Sequence, residues 1–125
     1  MIADWLASTL LEFGRRLGLS NFVFSARETA SVKFENGVEL NFEHSGDFLF
    51  IYVTCPMAET EDKMKLLLQS AHPDNMHRHP IRAAYQPKSE RAAFLVKLAD
   101  RDASIPLFDD IFNTLWRIAT TFMSR

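Results

Sequence analysis

Apolar residues recur at three- and four-residue steps along the first stretch of the chain: Ile2, Trp5, Leu6, Leu10, Phe13 and Leu17. That spacing puts them on one face of a helix, predicted over residues 2 to about 17, with Glu12, Arg15 and Arg16 on its polar back. Gly14 weakens the helix slightly, and Gly18 stands where a C-terminal cap belongs. From Phe22 the period changes to two. Phe22 and Phe24 alternate with Val23 and Ser25, Val32 and Phe34 with Lys33 and Glu35, and Val38, Leu40 and Phe42 with Glu39, Asn41 and Glu43. Each run has one dry and one wet face, as in an antiparallel sheet covered on one side. Asn36-Gly37, between the last two runs, predicts a hairpin with a type I′ turn, which needs positive φ at both positions. Ser45-Gly46-Asp47 makes a second turn. Phe48 to Thr54 is apolar on both faces, as a central strand is, or one whose outer face meets something other than water; Pro56 ends it.

Thr60 is placed to cap a second helix, with Glu61 and Asp62 in a first turn that the helix dipole favours. Met64, Leu67, Leu68 and Ala71 form its stripe, Leu66 falls off that stripe, and Pro73 closes the helix. A helix apolar on more than one side has more than one neighbour. Pro73 to Pro80 is polar and irregular, and two more strand-like runs follow, Ile81 to Tyr85 and Ala92 to Leu98, joined by Pro87-Lys88-Ser89-Glu90. The last helix begins near Ser104 or Pro106, with Phe108, Ile111, Phe112, Leu115, Ala119 and Phe122 as its core stripe. The order is helix, three strands, helix, two strands, helix. Strands in runs between helices, rather than in strict βαβ alternation, predict an α+β fold with a mainly antiparallel sheet. There is no internal repeat and no linker, so residues 1–125 read as one domain.

Composition narrows the partners. A formal charge of −2 and a pI near 6.1 supply none of the basic surface that phosphate neutralisation requires, so nucleic acid is not expected as a main partner. The single Cys55 has no intrachain disulfide partner and reads as a small apolar residue at a strand end, in a reducing, cytoplasmic setting. The first residues lack a basic leader and do not read as a signal peptide, and no apolar run approaches the ~20 residues needed to span a bilayer. Eleven Phe in so short a chain are enough to fill a core and still line a surface that meets a partner.

Candidate chemistry adds little. His72, His77 and His79, with Asp74 among them, carry ligand types suited to zinc, but their spacing matches no closed structural pattern, and Pro73 and Pro80 bracket a solvated loop. No metal and no cofactor is therefore expected. The carboxylate pairs Glu59/Glu61, Asp100/Asp102 and Asp109/Asp110 read as helix starts and a charged turn rather than as acid–base pairs. His44 stands alone near a turn and is expected at the surface. Cys55, flanked by Thr54 and Pro56, has nothing nearby in sequence to lower its pKa as a nucleophile needs. Gly14, Gly18, Gly37 and Gly46 are scattered singly and form no phosphate cradle. The chain is not expected to be an enzyme.

The stretch Leu10-Leu11-Glu12-Phe13-Gly14-Arg15-Arg16-Leu17-Gly18-Leu19 resembles the first helix of the class I type III secretion chaperones of bacteria, the group that includes the chaperones of Tir and of the Yersinia effectors. Val32 to Glu43 is similar to that family's first hairpin, and the closing Leu107 to Phe122 helix, introduced by a proline, to its last. The resemblance follows the element order along nearly the whole chain; Pro73 to Pro80 departs from it. It implies the fold α-β-β-β-α-β-β-α and a cytoplasmic homodimer that consumes no nucleotide. A secreted effector's extended N-terminal segment would wind around this dimer, kept soluble and competent for export in the service of virulence. An extended ligand gains affinity at a free sheet edge and specificity from pockets for alternate side chains, and ordering it demands apolar surface in return. Trp5, Phe22, Phe24, Phe48 and Phe50 are the candidates for effector binding, and Met64, Leu66, Leu67, Leu68, Phe94 and Val96 for the dimer interface. Two competing readings are a small α+β ligand-binding or metal-binding domain working through the His72–His79 loop, and a non-secretory adaptor that binds a folded protein.

Overall fold

A computed structural model describes residues 2–70 and 79–125. Helix α1 (Asp4–Arg16) buries Leu6, Leu10, Phe13 and Gly14. It ends as Gly18 predicts: the glycine has φ +83°, its amide donates to the Arg15 carbonyl at 3.0 Å, and the Leu19 amide donates to that of Gly14 at 2.8 Å. These two bonds make a Schellman cap, a turn that favours a residue without a Cβ.

Five strands follow, β1 (Thr29–Lys33), β2 (Glu39–Ser45), β3 (Phe48–Pro56), β4 (Arg82–Gln86) and β5 (Arg91–Ala99), with α2 (Glu61–Ser70) between β3 and β4. A 3₁₀ turn (Asp100–Asp102) leads from β5 into α3 (Ile105–Met123). The sheet runs β1-β2-β3-β5-β4 with every neighbouring pair antiparallel, so the doubly apolar β3 run is the central strand and β1 and β4 are the edges. The fold is α+β, in the element order expected.

One face of the sheet carries Leu40 and Phe42 from β2, Leu49, Ile51 and Val53 from β3, and Phe94 and Val96 from β5, all buried. Helices α1 and α3 cover that face. Phe13 of α1 meets Phe42 at 5.8 Å and Phe108 at 5.6 Å between ring centroids, and Phe42 meets Phe108 at 5.1 Å. Tilted and edge-on pairs of this kind add to the burial of their area. The predicted stripe of α3 is its buried face, from Phe108 to Phe122, and Ser104 caps the helix by accepting from the Leu107 amide at 3.2 Å.

Several local expectations are corrected. Residues 22–25 form no strand: Phe22 turns inward against Phe42 and onto Gly14, where an added Cβ would stand 2.5 Å from the Phe22 Cβ. The period of two there comes from one aromatic plug, not from a ladder. Gly14 is a packing requirement and not merely a weak helix former. At the first hairpin only Gly37 has positive φ, and Asn36 does not. The Gly37 amide donates to Phe34 and the Phe34 amide to Val38, closing a three-residue loop with Gly37 in the left-handed region instead of a type I′ turn. In α2, capped by Thr60 as expected (Lys63 amide to Thr60 Oγ1, 3.2 Å), Leu66 packs with Met64 against the core while Leu68 stands 69% exposed. The odd residue of the stripe is Leu68, not Leu66. Lys63 then ties α2 to the end of α3, donating to the carbonyls of Phe122 at 3.0 Å and Arg125 at 2.6 Å.

Candidate partner-binding surface

Alternation along β3 decides what the outer face of the sheet presents. Because Leu49, Ile51 and Val53 point into the core, Phe48, Phe50 and Tyr52 point away from it. Phe48 is 42% exposed, while Phe50 and Tyr52 are half-buried. The register pairs Phe50 with Lys97 and Glu43 on its two flanks. Lys97 Nζ lies 4.0 Å from the Phe48 ring centre and 5.9 Å from that of Phe50, and the Tyr52 hydroxyl donates to Glu43 at 2.6 Å. A cation over one pair of rings and a carboxylate holding a third give this face an apolar centre with a charged rim. Burial, and then the bond to Glu43, push the Tyr52 phenol well above its ordinary range, so it stays a neutral donor.

A second apolar region surrounds the start of α1. Trp5 is 48% exposed, at the margin of the apolar face that buries Leu6 and Leu10. An open cleft nearby is lined by Ile2 and Ala7 on one side and by Val23, Phe24 and the turn 25–28 on the other. Val23 is 44% exposed and Phe24 half-buried. The turn leads directly into β1, whose outer side has no strand neighbour among the described residues. Thus apolar wall and open backbone edge lie close in the chain, the combination an added strand requires.

The predicted contact residues therefore separate. Trp5 and Phe48 reach the surface; Phe24 and Phe50 do so in part; Phe22 is taken into the core. Of the set named for dimer contact, Phe94, Val96 and Leu67 are buried within the single chain, Met64 and Leu66 are half-buried, and Leu68 is the one fully presented to solvent. Phe94 is occupied by Phe122, their rings 5.6 Å apart.

The candidate chemistry stays dispersed. His72, Asp74 and His77 lie outside the described residues. His79 holds Asp110 of α3, Nε2 to Oδ2 at 2.8 Å. Among the described residues no three His, Cys, Asp or Glu side chains gather as a metal would require. Cys55 is fully buried, and burial pushes its thiol up to about 11 against the opposing charges of Arg91 and Lys63, the reverse of an activated nucleophile. No helix among the described residues is long and apolar enough to cross a membrane. Sequence reasoning missed two features, Val23 and His44. Val23 looked like the outer half of a strand. His44, expected at the surface, has a ring that is only 3% exposed and sits between the carboxylates of Asp100 and Glu28. Its separation from Asp100 in sequence left no local signal of the pairing.

A family model described as type III secretory system chaperone SycN matches residues 5–123. No curated protein matches. Among solved structures, a chain of the HopA1–SchA chaperone–effector complex superposes with a TM-score of 0.76 at 14% identity over the full length of both chains. A chain of the ExsC–ExsE complex gives 0.78 at 15% identity, over 94% of this chain and 90% of the other. A chain from the Yersinia pestis type III secretion chaperone SycH in complex with a fragment of YscM2 gives 0.71 at 17%, over 94% and 98%. At these identities the likeness is one of fold.

Proposed function

The chain belongs to the family of type III secretion chaperones, and on that premise we propose that it binds the extended N-terminal segment of one or more secreted effectors and keeps that segment soluble and fit for export. It is a chaperone and not an enzyme. Residues 1–125 act as one unit, in the bacterial cytoplasm, as a homodimer. The complexes in which similar chains were solved, among them one of a chaperone with its effector, support a protein partner of this kind.

The observation that carries the reading is the surface a single chain leaves uncovered. Trp5, Val23, Phe48 and Leu68 are all more than two-fifths exposed, although the core is already closed by Phe13, Phe42, Phe94 and Phe108. Scattered single apolar residues need no explanation, but here they fall beside features that fit an unfolded partner. Trp5 and Val23 belong to the region around α1 and the open β1 edge, where an extended client would pair its backbone. Phe48, with Phe50 beside it, would receive apolar side chains on the outer face of the sheet. Leu68, with Met64 and Leu66, is the part of α2 available to a second copy. Such a division lets one surface serve the client and another the twin subunit.

Co-expression with the product of each neighbouring open reading frame tests the reading. The chain should raise the soluble yield of at least one of them and co-purify with it. Trp5→Asp and Phe48→Asp together should lower the captured amount about tenfold or more, since each desolvated aromatic contact contributes on the order of 1–2 kcal/mol. Both positions are exposed, so the melting temperature should move little. Undiminished capture by the doubly substituted chain would remove these surfaces from the proposal.

A further inference from the structure

Charges are unevenly matched on the outer face of the sheet. Strand pairing sets Lys97 beside Phe50 and Leu95 beside Tyr52, and it sets Arg82 of the β4 edge beside Leu95. Residues opposite one another in a ladder share a face, so Phe48, Phe50, Tyr52 and Leu95 make an apolar strip there. Lys97 and Arg82 stand along its β5–β4 side and Glu43 along its β2 side. All three charged residues are exposed.

The carboxylate is engaged, since Glu43 accepts from the Tyr52 hydroxyl at 2.6 Å. The cations are not. The ion pairs of the sheet lie elsewhere, at Lys33, Glu39 and Arg91, and among the described residues Lys97 and Arg82 hold no carboxylate. Lys97 rests its ammonium on aromatic rings, 4.0 Å from the centre of Phe48 and 5.9 Å from that of Phe50. A ring face attracts a cation but satisfies few of its three donors, and water serves the rest. That arrangement sets a condition on whatever covers the strip. An apolar segment laid over Phe48 and Phe50 also lies over the ammonium between them and takes its water away. A charge desolvated without a partner is costly, so a well-fitting occupant brings an anion of its own. The same exclusion of water strengthens the attraction once the anion is in place.

We propose that Lys97, with Arg82 behind it, is the specificity-determining residue of this face: it takes an acidic side chain that stands beside the apolar residues with which a client segment covers Phe48 and Phe50. The occupant is therefore an apolar segment with a carboxylate on one flank. That flank lies over β5, because over β2 it would meet Glu43. The assignment of the occupant as a client, and not a second copy, rests on the function proposed above.

Two fluorescein-labelled synthetic peptides test it with the full chain. They share one stripe of leucines and differ only in the residues flanking it, glutamate in one and lysine in the other. By fluorescence anisotropy at low salt, the glutamate peptide should bind the parent chain about fivefold more tightly than it binds Lys97→Met, which keeps the apolar stem without the charge. It should bind Lys97→Glu more weakly still, and added salt should shrink these differences. The lysine peptide should lose no affinity in either variant. Lys97 is exposed, so both variants should melt close to the parent. Equal binding of the glutamate peptide to the parent and to Lys97→Glu overturns the assignment, and so does a failure of both peptides to bind. If neither binds and Lys97→Glu converts a dimer to single chains, the face belongs to a second copy and the proposal falls. If no neighbouring gene product co-purifies but the glutamate peptide keeps its dependence on Lys97, the acidic-segment site stands and only its place in secretion is lost.

Discussion

At the scale of single residues, burial changes what a side chain can do. Cys55 sits at the end of the central strand with no exposure, and its neutral thiol is the form the interior tolerates. A free cysteine loses its proton near pH 8.5, whereas in the folded chain burial raises that point to about 11. The unfolded chain therefore gives up this proton first. The thiol's contribution to stability is complete below about pH 8.5 and declines as pH rises towards about 11. Urea midpoints of the parent and of Cys55→Ala, taken at pH 7.5 and at pH 10.5, isolate the effect from other titrations. The gap between the two chains should narrow at the higher pH; a gap that widens contradicts the assignment. Arg91 illustrates the opposite solution, a nearly buried cation whose hydrogen bonds replace the water it has lost. Its guanidinium donates to Thr54 through both Oγ1 (2.9 Å) and the carbonyl (3.1 Å), and to the Gly37 carbonyl, which fixes the hairpin loop to the start of β5. The planar fork of arginine fits these divergent acceptors as lysine would not. Nothing in the spacing of Gly37, Thr54 and Arg91 announces that they meet, because the meeting depends on strand register.

At the scale of elements, periodicity served best where one face of a long segment decides the packing. The α3 stripe and the α1 face were readable because six or more apolar positions reinforce one another, and the caps at Gly18 and Ser104 are local chemistry. Short segments misled. The 22–25 run mimics a strand because Phe22 enters the core while Val23 faces water, yet no strand among the described residues pairs with it. The α2 stripe misassigned Leu66 and Leu68, since four apolar positions on ten residues define no unique face. Gly14 joins the two levels: helix α1 carries a glycine so that Phe22 can lie on its backbone. Gly14→Ala would gain up to ~1 kcal/mol of helix propensity and lose ~1–3 kcal/mol to overpacking against the Phe22 Cβ, 2.5 Å away. A net loss of ~1–2 kcal/mol is expected, read as a lower melting temperature. If the melting temperature rises, the close approach of Phe22 is not what the glycine permits.

At the scale of the whole molecule, the fold class and the family were legible because they rest on element order and on packing patterns that run the length of the chain. The exposure of the candidate contact residues was legible in part. Trp5 and Phe48 are exposed among apolar residues that the sequence offers to either interior or surface, and alternation along β3 sends Phe48 and Phe50 outward. Phe22, Leu67, Phe94 and Val96 look the same in sequence and lie within the folded chain, because which side of a segment is covered depends on elements distant in sequence. The account at this scale makes one demand: the apolar side chains that a single copy leaves in water are covered by a second copy and by an unfolded client. Light scattering on size-separated samples, with and without a secreted protein that co-purifies with the chain, measures that demand as mass. The account predicts twice 14.4 kDa for the chain alone and that mass plus a single client for the complex. A species of 14.4 kDa whose mass does not change when the client is present contradicts it.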